Sequence, residues 1–529
     1  MKQREKTDKI FQDRMAKKTD ELRWLYMELY GNDSMFFELC DQLHRFYEER
    51  SSTLKALDQK READPGWYKK NDMLGMMFYI DNFAGNMKGV ESKLDYLEKN
   101  NVNYIHLMPF LDTPKGRSDG GYAVADFRKV QENLGTMDDL EALAGACHKK
   151  GISLCMDFVM NHTSEDHEWA KKARQGDGEY MSRYFFYDNS YIPSLYEKTV
   201  PQVFPTTAPG NFTWLPEIGH YVMTTFYPYQ WDLNYGNPRV FNEMMYNFLF
   251  LANKGIDVIR IDAVPYIWKE LNTPCRNLPQ VHTIVRMMRL ISEIVCPGVI
   301  LLGEVVMEPE KVVPYFGTVE KPECHMLYNE DPVTGDARFC GTTASMCGIE
   351  KAGFEKNKAA MEKAIQLDVM LHAYMFMQSG IPVIYSGDEI GQVNDYSYKN
   401  DPDKAPDSRY IHRGAMNWDR AAMSGNARTV EGKLNKRLLQ LEKIRKTEKA
   451  FMTNADTWTV DTWDNSILCI GRYYEGEKIY GLFNFSEYDK TAWINERDGI
   501  YKDLITGQEM EAAGVNVPAY GFFWLKKMN

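Results

Sequence analysis

The chain has 529 residues, a formal net charge of −12 and a hydrophobic content of 44%. This length predicts several domains, or one barrel with insertions, and the composition is typical of a globular protein. The acidic balance argues against binding to nucleic acid or to an anionic membrane surface. Aromatic residues make up 13% of the chain, which suits either an aromatic-rich core or a sugar-binding cleft.

The N-terminal segment "MKQREKTDKIF" has no apolar stretch of the kind found in secretory signals. No run of 18 apolar residues predicts a membrane span. The nine cysteines form no CxxC pair, which favours reduced thiols over a disulfide framework. These features lead us to expect a soluble cytoplasmic protein that binds neither membranes nor nucleic acid.

Residues 1–72 carry apolar side chains at intervals of three and four, which predicts an N-terminal helical domain. Asp33 or Ser34 is in position to cap the second helix of this domain. Pro65 and Gly66 are predicted to end the helical segment.

From residue 73 onward, short apolar strands alternate with amphipathic helices. Strand-like segments include "MLGMMFYI", "NYIHLMPF", "ISLCMDFVMNH", "IDVIRIDAV", "GVILLGEVV" and "GIPVIYSGDEIG". This alternation predicts a parallel sheet with helical crossovers, and the number of strands favours an α/β fold of the (β/α)8 TIM-barrel type. An open doubly wound sheet is the alternative, disfavoured because no GxGxxG follows the first strand.

The barrel is interrupted by an irregular segment and is followed by a region with a different pattern. Its first part covers 73–162 and its second part 231–450, with an inserted loop subdomain at 163–230 that is longer than ordinary loops. Alternating strands separated by turn signals then predict a C-terminal antiparallel β-sandwich domain at 451–529.

Acidic residues end several of the predicted barrel strands, where active sites of such barrels lie. Arg260 and Asp262 are two residues apart in one strand, so their side chains point to the same side. Asp262 and Glu304 end consecutive strands. Two carboxylates at one barrel mouth suit glycoside chemistry, with a nucleophile and an acid/base about 5–5.5 Å apart in a retaining enzyme. Arg260 is expected to keep Asp262 ionised; an ordinary salt bridge at the rim is the alternative.

The segment "DFVMNHTSEDHEW" adds polar candidates. His162 is able to donate a hydrogen bond to a sugar hydroxyl. His162 and His167 are an alternative metal pair, but they are five residues apart and no cysteine supports them, so we expect neither a metal nor a cofactor. For Asn161, a role in ordering the loop and a catalytic role both stay open.

A set of motifs resembles the α-amylase superfamily of glycoside hydrolases (family 13), and within it amylosucrase and related sucrose-cleaving enzymes. The resemblance extends over most of the chain, and the set is specific in its order and spacing. The motifs are "SDGGYAVADFRKV" (118–130), "DFVMNHTS" (157–164), "TTFYPYQWDLNYGNPRVF" (224–241), "GIDVIRIDAVPYIWK" (255–269), "GEVVMEP" (303–309), "GIPVIYSGDEIGQVND" (380–395) and "PDSRYIHR" (406–413).

The resemblance implies a role for each matching residue. Asp262 is the nucleophile, Glu304 the acid/base, and Arg260 the residue that orients the nucleophile. The implied reaction cleaves sucrose through a covalent glucosyl-enzyme intermediate and transfers glucose to an α-glucan or to water. The implied substrate-binding residues are Asp119 and His162 for the glucosyl hydroxyls, Tyr122 for the ring platform, Phe226 and Gln230 for the pocket wall, and Arg409 as the partner of Asp119.

The chain departs from the family pattern after Glu304. The family has a His-Asp pair after the seventh barrel strand, and this chain contains no His-Asp dipeptide. The residues up to Gly387 are too few for the last three strand–helix units, which predicts an internal deletion around 328–334 and a barrel missing one strand–helix unit. The alternative function is therefore a catalytically impaired pseudoenzyme or a sugar-binding remnant that lacks the third catalytic carboxylate.

Overall fold

The computed structural model describes residues 2–205, 208–305, 325–327, 340–494 and 499–528. The chain divides into two compact units. Unit 1 comprises Met1–Pro65, Asn86–Glu91 and Leu107–Ala337, and unit 2 comprises Gly66–Gly85, Ser92–His106 and Arg338–Asn529. The predicted deletion around 328–334 lies outside the described residues, and the domain boundaries drawn from the sequence stay predictions.

Helices are numbered along the chain. Those of unit 1 are α1 (Lys2–Tyr30), α2 (Asp33–Glu49), α3 (Ser52–Ala63), α5 (Met87–Ser92), α7 (Met137–Lys149), α8 (Glu168–Arg174), α9 (Gly178–Met181), α10 (Tyr191–Tyr196), α11 (Pro238–Asn253) and α12 (Pro279–Val295). Those of unit 2 are α4 (Ile80–Ala84), α6 (Leu94–Lys99), α13 (Thr343–Met346), α14 (Ile349–Phe354), α15 (Lys358–Met377), α16 (Trp418–Ala422) and α17 (Val430–Thr447).

Strands are numbered in the same way. Unit 1 contains β3 (Leu111–Asp112), β4 (Asp126–Val130), β5 (Ser153–Val159), β6 (His162–Ser164), β7 (Phe186–Tyr187), β8 (Phe212–Leu215), β9 (His220–Met223), β10 (Gln230–Asp232), β11 (Val258–Asp262), β12 (Ile300–Glu304) and β13 (His325–Leu327). Unit 2 contains β1 (Gly75–Phe78), β2 (Tyr104–Leu107, at the unit boundary), β14 (Val383–Tyr385), β15 (Asp456–Val460), β16 (Ile467–Tyr474), β17 (Glu477–Asn484), β18 (Lys490–Trp493), β19 (Ile500–Asp503), β20 (Glu509–Glu511), β21 (Ala513–Val517) and β22 (Phe522–Lys527).

The N-terminal helices are present as predicted, but the cap of α2 is not the predicted residue. Asn32 has an extended backbone, and its side chain accepts a hydrogen bond of 3.1 Å from the Met35 amide. Asp33 is already the first helical residue. An asparagine is as good a cap as aspartate or serine, so the capping position moves back by one residue.

Four parallel strands form the sheet of unit 1, in the order β13-β12-β11-β5. Every residue of β5 is buried, and only Arg260 is less than fully buried in β11. Such apolar strands covered on both faces are typical of parallel sheets. The register places Arg260 beside Asp157 of β5 on one side and beside Leu302 of β12 on the other.

A buried ion network ties α3 to the sheet of unit 1. Nη1 of Arg61 lies 2.5 Å from Oδ1 of Asp257, just before β11. Oδ2 of Asp257 accepts a hydrogen bond of 2.7 Å from the Leu154 amide and lies 2.9 Å from Nε2 of His148. Burial alone raises the pKa of Asp257, but Arg61, His148 and the Leu154 amide outweigh it and lower the pKa.

The segment between β5 and β11 carries small structures of its own. β6 and β10 form an antiparallel pair, and β7, β9 and β8 form a three-stranded antiparallel sheet. A small apolar cluster supports that sheet, made of Tyr196, Val200, Met223 and Cys275. The inserted segment is therefore folded rather than an open loop.

Unit 2 contains a parallel group and an antiparallel sheet. β1 lies between β2 and β14, and it pairs with β14 in parallel. The C-terminal strands form a six-stranded antiparallel sheet, in the order β15-β16-β17-β22-β19-β20, and a separate antiparallel pair, β18 and β21. Its core includes Tyr480, Leu482 and Tyr501. The predicted C-terminal antiparallel β domain is confirmed.

Among the described residues, we find no helix with the length and apolar character needed to cross a membrane.

Candidate active site

The guanidinium of Arg260 links three carboxyl groups at the ends of neighbouring strands of unit 1. Its Nη1 contacts Asp157 and lies 3.6 Å from Oδ1 of Asp262, while Nη2 lies 2.7 Å from Oε1 of Glu304. Because β5, β11 and β12 are adjacent and parallel, their carboxyl ends meet at one edge of the sheet. The structure thus brings Arg260, Asp262 and Glu304 together.

Asp157 is the partner that sequence reasoning left without a role. Its side chain is completely buried and makes the tightest contact with Arg260. The position of an acid at a strand end was a visible signal. Arg260 is 103 residues further along the chain than Asp157, and only the strand register places the two residues opposite one another. The sequence alone does not give that register.

The pKa of Asp262 is shifted in the direction opposite to the one expected from Arg260 alone. Burial and the neighbouring Glu304 carboxyl, which also hydrogen-bonds to it, raise the pKa of Asp262 well above its ordinary value, and Arg260 opposes them. Arg260 lowers the pKa of Asp262 as expected, but burial and Glu304 outweigh it, and the cation is shared among three carboxyl groups.

The chain turns sharply after Asp262. Ala263 has a left-handed backbone, with a φ of 50°. Its amide points at Oε2 of Glu304, at 3.4 Å. A left-handed conformation costs an alanine about 1–2 kcal/mol, so the surrounding structure must hold it in place.

His162 is neutral, and its hydrogen bonds define which nitrogen carries the proton. Its Nε2 donates to the Tyr122 carbonyl at 3.2 Å, and its Nδ1 accepts from the Asn161 amide nitrogen at 3.2 Å. Burial lowers the pKa of His162 to about 4, against the opposing Asp232 charge. Its ring lies 5.2 Å from that of Phe226. Donation to a sugar hydroxyl would therefore have to replace or share the bond to Tyr122.

Asp119 and Gln230 form the next part of the site. Nε2 of Gln230 donates to Oδ2 of Asp119 at 3.3 Å, and Gln230 is fully buried. Asp119 begins a 3₁₀ turn that ends at Gly121, and it has a positive φ of 49°. The same turn leads into Tyr122, whose carbonyl accepts the hydrogen bond from His162.

A buried polar network behind His162 was not foreseen as a unit. Oδ1 of Asn161 accepts from Nζ of Lys269 at 2.6 Å, and the Asn161 amide nitrogen donates to Oδ1 of Asp232 at 2.5 Å. Thr225 donates to Oδ2 of Asp232 through both its amide, at 2.8 Å, and its hydroxyl. Lys269 has no exposed side-chain surface. Of the two roles left open for Asn161, the observed contacts support ordering.

Two candidates remain: Arg409, and a bound metal ion. Arg409 lies in unit 2, where its Nη2 is 2.8 Å from Oδ2 of Asp407; its implied pairing with Asp119 stays a prediction. Over the described ranges, no group of three or more His, Cys, Asp or Glu side chains is arranged to hold a metal ion.

Comparison with protein families gives a match over most of the chain. A model of the alpha amylase catalytic domain matches residues 44–366. This range contains every candidate described above except Arg409.

Individual relatives match a shorter part of the chain than the family model does. Trehalose synthase/amylase TreS of Mycobacterium tuberculosis (strain ATCC 25618 / H37Rv) is 36% identical over 277 residues, covering 50% of this chain and 45% of TreS. Glucosylglycerate phosphorylase of Spirochaeta thermophila is 35% identical over 251 residues, covering 47% of this chain and 38% of that protein. The chain spans about half the length, or less, of these curated relatives. Their names do not support amylosucrase specifically.

A solved structure of a mutant of the trehalulose synthase MutB matches the fold. The TM-score is 0.69 with 20% sequence identity, over 87% of this chain and 100% of the MutB chain. At that identity the likeness concerns the fold alone.

Proposed function

The chain belongs to the alpha-amylase family by its catalytic domain, and from this premise we propose that it is a retaining enzyme that transfers a glucosyl unit from an α-linked disaccharide to a sugar or to water. Membership implies a (β/α)8 barrel followed by an antiparallel β domain. The parallel strands and the C-terminal sheet described above agree with that architecture.

The observation that carries the proposal is the Arg260 guanidinium between Asp262 and Glu304. In the first step, a carboxylate oxygen of Asp262 attacks the anomeric carbon while Glu304, in its acid form, gives its proton to the glycosidic oxygen. The bond from the anomeric carbon to that oxygen breaks, and a β-glucosyl ester of Asp262 forms. In the second step, Glu304 takes the proton of the acceptor hydroxyl, whose oxygen attacks the anomeric carbon; the bond from that carbon to the Asp262 oxygen breaks and the carboxylate is released.

The raised pKa of Asp262 fits this cycle, because a cluster of three carboxyl groups and one cation tends to retain a proton. The attack requires that proton to reside on Glu304. Arg260 lies between the two groups and stabilises whichever of them is ionised. Over the cycle, Glu304 gives one proton to the leaving oxygen and takes one back from the acceptor, while Asp262 stays free to bond to carbon.

The donor that we propose is a disaccharide-sized α-glucoside. Relatives named as trehalose synthase and glucosylglycerate phosphorylase support small glucosides as the substrate class. Sucrose stays a candidate donor and an α-glucan a candidate acceptor, on the motif resemblance alone. A pseudoenzyme is less consistent with this site, because a buried carboxyl group with a raised pKa costs stability and is more readily explained by use.

The experiment is an assay of the full chain with sucrose, trehalose and maltose, followed by proton NMR from the first turnover. We expect cleavage of at least one of them, with the released or transferred glucosyl unit appearing first as the α anomer. Asp262→Asn keeps the shape but cannot form the ester, so it should abolish the activity. Glu132→Gln removes an exposed carboxyl group of the same unit and should leave the activity unchanged. Failure on all three sugars, or a β-anomeric product, would overturn the proposal.

A further inference from the structure

Unit 2 contains a cavity of about 360 Å³ that the proposed reaction does not use. It lies at the amino-terminal end of β1, where Leu74 lines it, and beside the last turns of α17. Phe376 of α15 closes another side. All of its lining residues belong to unit 2. Volumes of about 300–1,000 Å³ are usual for small-molecule sites.

The innermost charged group of the cavity is Arg445. It is 4% exposed, and it donates to the carbonyl oxygens of Asn71, Met73 at 2.9 Å and Gly380 at 3.3 Å. Its buried Nε has no hydrogen-bond partner among the described residues. Burial lowers the pKa of Arg445 to about 10, helped by Arg472 and opposed by Asp72. A buried cation held mainly by neutral carbonyls leaves positive charge that is only partly compensated.

The entrance adds more positive charge than negative charge. Three exposed lysines, Lys99, Lys443 and Lys446, line it together with two acids, Asp72 and Glu442. Burial raises the pKa of Glu442 to about 7, while its Oε2 accepts a hydrogen bond of 3.0 Å from Asn101. Near neutral pH, Glu442 is therefore only partly ionised, and the cavity carries a net positive charge.

The carboxyl end of a helix normally disfavours an anion, since its free carbonyls point outward. Here three carbonyls at the end of α17 share the two donors of one side-chain amide. Nδ2 of Asn71 donates to those of Arg445 at 3.1 Å, Lys446 at 3.0 Å and Glu448 at 3.1 Å. The basic side chains therefore dominate the field inside the cavity.

We propose that this cavity binds a small molecule that carries a phosphate group. A phosphate group accepts several charge-assisted hydrogen bonds, and Arg and Lys are its usual partners in proteins. The space left beside such a group admits a sugar-sized body, with Glu442 and Asn101 available for hydroxyl groups. Inorganic phosphate and a phosphate ester share this chemistry, so both serve as probes.

The test is isothermal titration calorimetry of the full chain with inorganic phosphate and, separately, with glucose 6-phosphate. Sodium chloride at the same ionic strength and free glucose are the blanks. We expect saturable binding of at least one phosphate probe, weakened at least about tenfold in the double variant Lys443→Ala, Lys446→Ala. Lys436→Ala removes an exposed lysine of the same helix that does not line the cavity, and it should bind as the wild type does.

A variant that removes a negative charge from the cavity tests the same argument in the opposite direction. Glu442→Gln removes a negative charge but keeps an acceptor for Asn101, so it should tighten phosphate binding at pH 8 and remove part of its pH dependence. Tighter binding of the ester than of inorganic phosphate would identify the ester as the ligand class, and the reverse would identify the free anion. The proposal is overturned by absence of saturable binding, by equal binding in the lysine double variant, or by equal weakening in Lys436→Ala.

Discussion

Nη2 of Arg260 lies 2.7 Å from Oε1 of Glu304, closer than its neighbour Nη1 lies to Asp262, at 3.6 Å. The guanidinium thus contacts the proposed acid/base more closely than the proposed nucleophile. Since it also contacts Asp157, one cation serves three carboxyl groups. Burial and the nearby Glu304 carboxyl raise the pKa of Asp262 despite this cation, and the bond can break when Asp262 is ionised beside a protonated Glu304.

The first prediction concerns Glu304. Glu304→Gln should lower kcat/KM for cleavage of a disaccharide by a factor of about 10²–10⁴, the usual contribution of a positioned acid. A glucosyl fluoride needs no proton on its leaving group, so its first step should be far less affected. Measured kcat/KM values for both substrates in the variant and the wild type give the comparison. Equal losses on both would contradict the acid/base role.

The second prediction concerns Asp157 as a positioning residue. After burial and Glu304, its charge adds to the raised pKa of Asp262, and it contacts the same Nη1 of Arg260 that lies 3.6 Å from Asp262. Asp157→Asn should lower kcat by about 100-fold through misplacement of Arg260. It should also move the acid limb of the pH–rate profile to lower pH. Asp112→Asn, at a half-buried carboxylate paired with Lys129, is the control. A lower rate with an unchanged pH profile would argue for a merely structural role.

The strand ends of the barrel could be predicted from the sequence because apolar runs and the acids that follow them are local features. Arg260, Asp262 and Glu304 were found in this way, and the structure places them together. The network of Asn161, Asp232 and Lys269 could not be predicted in the same way. Its members are far apart in sequence, and their contact depends on how the inserted segment folds back onto the strand ends.

The direction of the pKa shift of Asp262 was missed for a related reason. From the sequence, Arg260 has one obvious neighbour, two residues away in the same strand. Competition from Asp157 and Glu304 appears only when the strand register is known. The sequence therefore predicted the members of the site better than the balance of charge among them.

The third prediction concerns stability in unit 1. Asp257→Ala leaves Arg61 buried without its carboxylate and removes the acceptor of the Leu154 amide. Breaking a buried pair in this way costs about 3–5 kcal/mol in free energy of unfolding. Urea denaturation of both proteins measures it. Arg23→Ala breaks an exposed pair with Asp33 and should leave the midpoint unchanged. A similar small effect for both would show that the buried network is unimportant.

The fourth prediction concerns pH and His372, a buried residue of unit 2. Burial lowers the pKa of His372, but the hydrogen bond and charge of Asp368 outweigh it and raise the pKa to about 9. Nδ1 of His372 lies 3.1 Å from Oδ1 of Asp368. The folded protein therefore holds this proton more tightly than the unfolded chain. The resulting stability is complete below pH 6.5 and is lost as the pH rises through 9, by about 3 kcal/mol.

The measurement for His372 is the difference between two pH profiles. Denaturant unfolding of the wild type and of His372→Gln is followed from pH 6 to pH 9.5, so that contributions from other groups cancel. The stability advantage of the wild type should shrink across this range. An advantage that stays constant with pH would show that His372 is not protonated in the folded protein.

The last prediction concerns recognition of the glucosyl unit by Asp119. Its Oδ2 accepts a hydrogen bond of 3.3 Å from Gln230, and the motif resemblance assigns its carboxylate to a glucosyl hydroxyl. A site built around such a bond discriminates strongly against a substrate that lacks the hydroxyl, because the carboxylate is then left unpaired. Asp119→Ala should therefore lower kcat/KM by about 100-fold or more on the intact glucoside, and by much less on the deoxy analogue that lacks the partner hydroxyl. A series of 2-, 3-, 4- and 6-deoxyglucosyl substrates, assayed with both proteins, identifies that hydroxyl. Gln230→Leu should show a weaker form of the same pattern, since it loosens Asp119 without removing it. A loss of equal size on every analogue would mean that Asp119 shapes the loop around Tyr122 rather than binding the sugar.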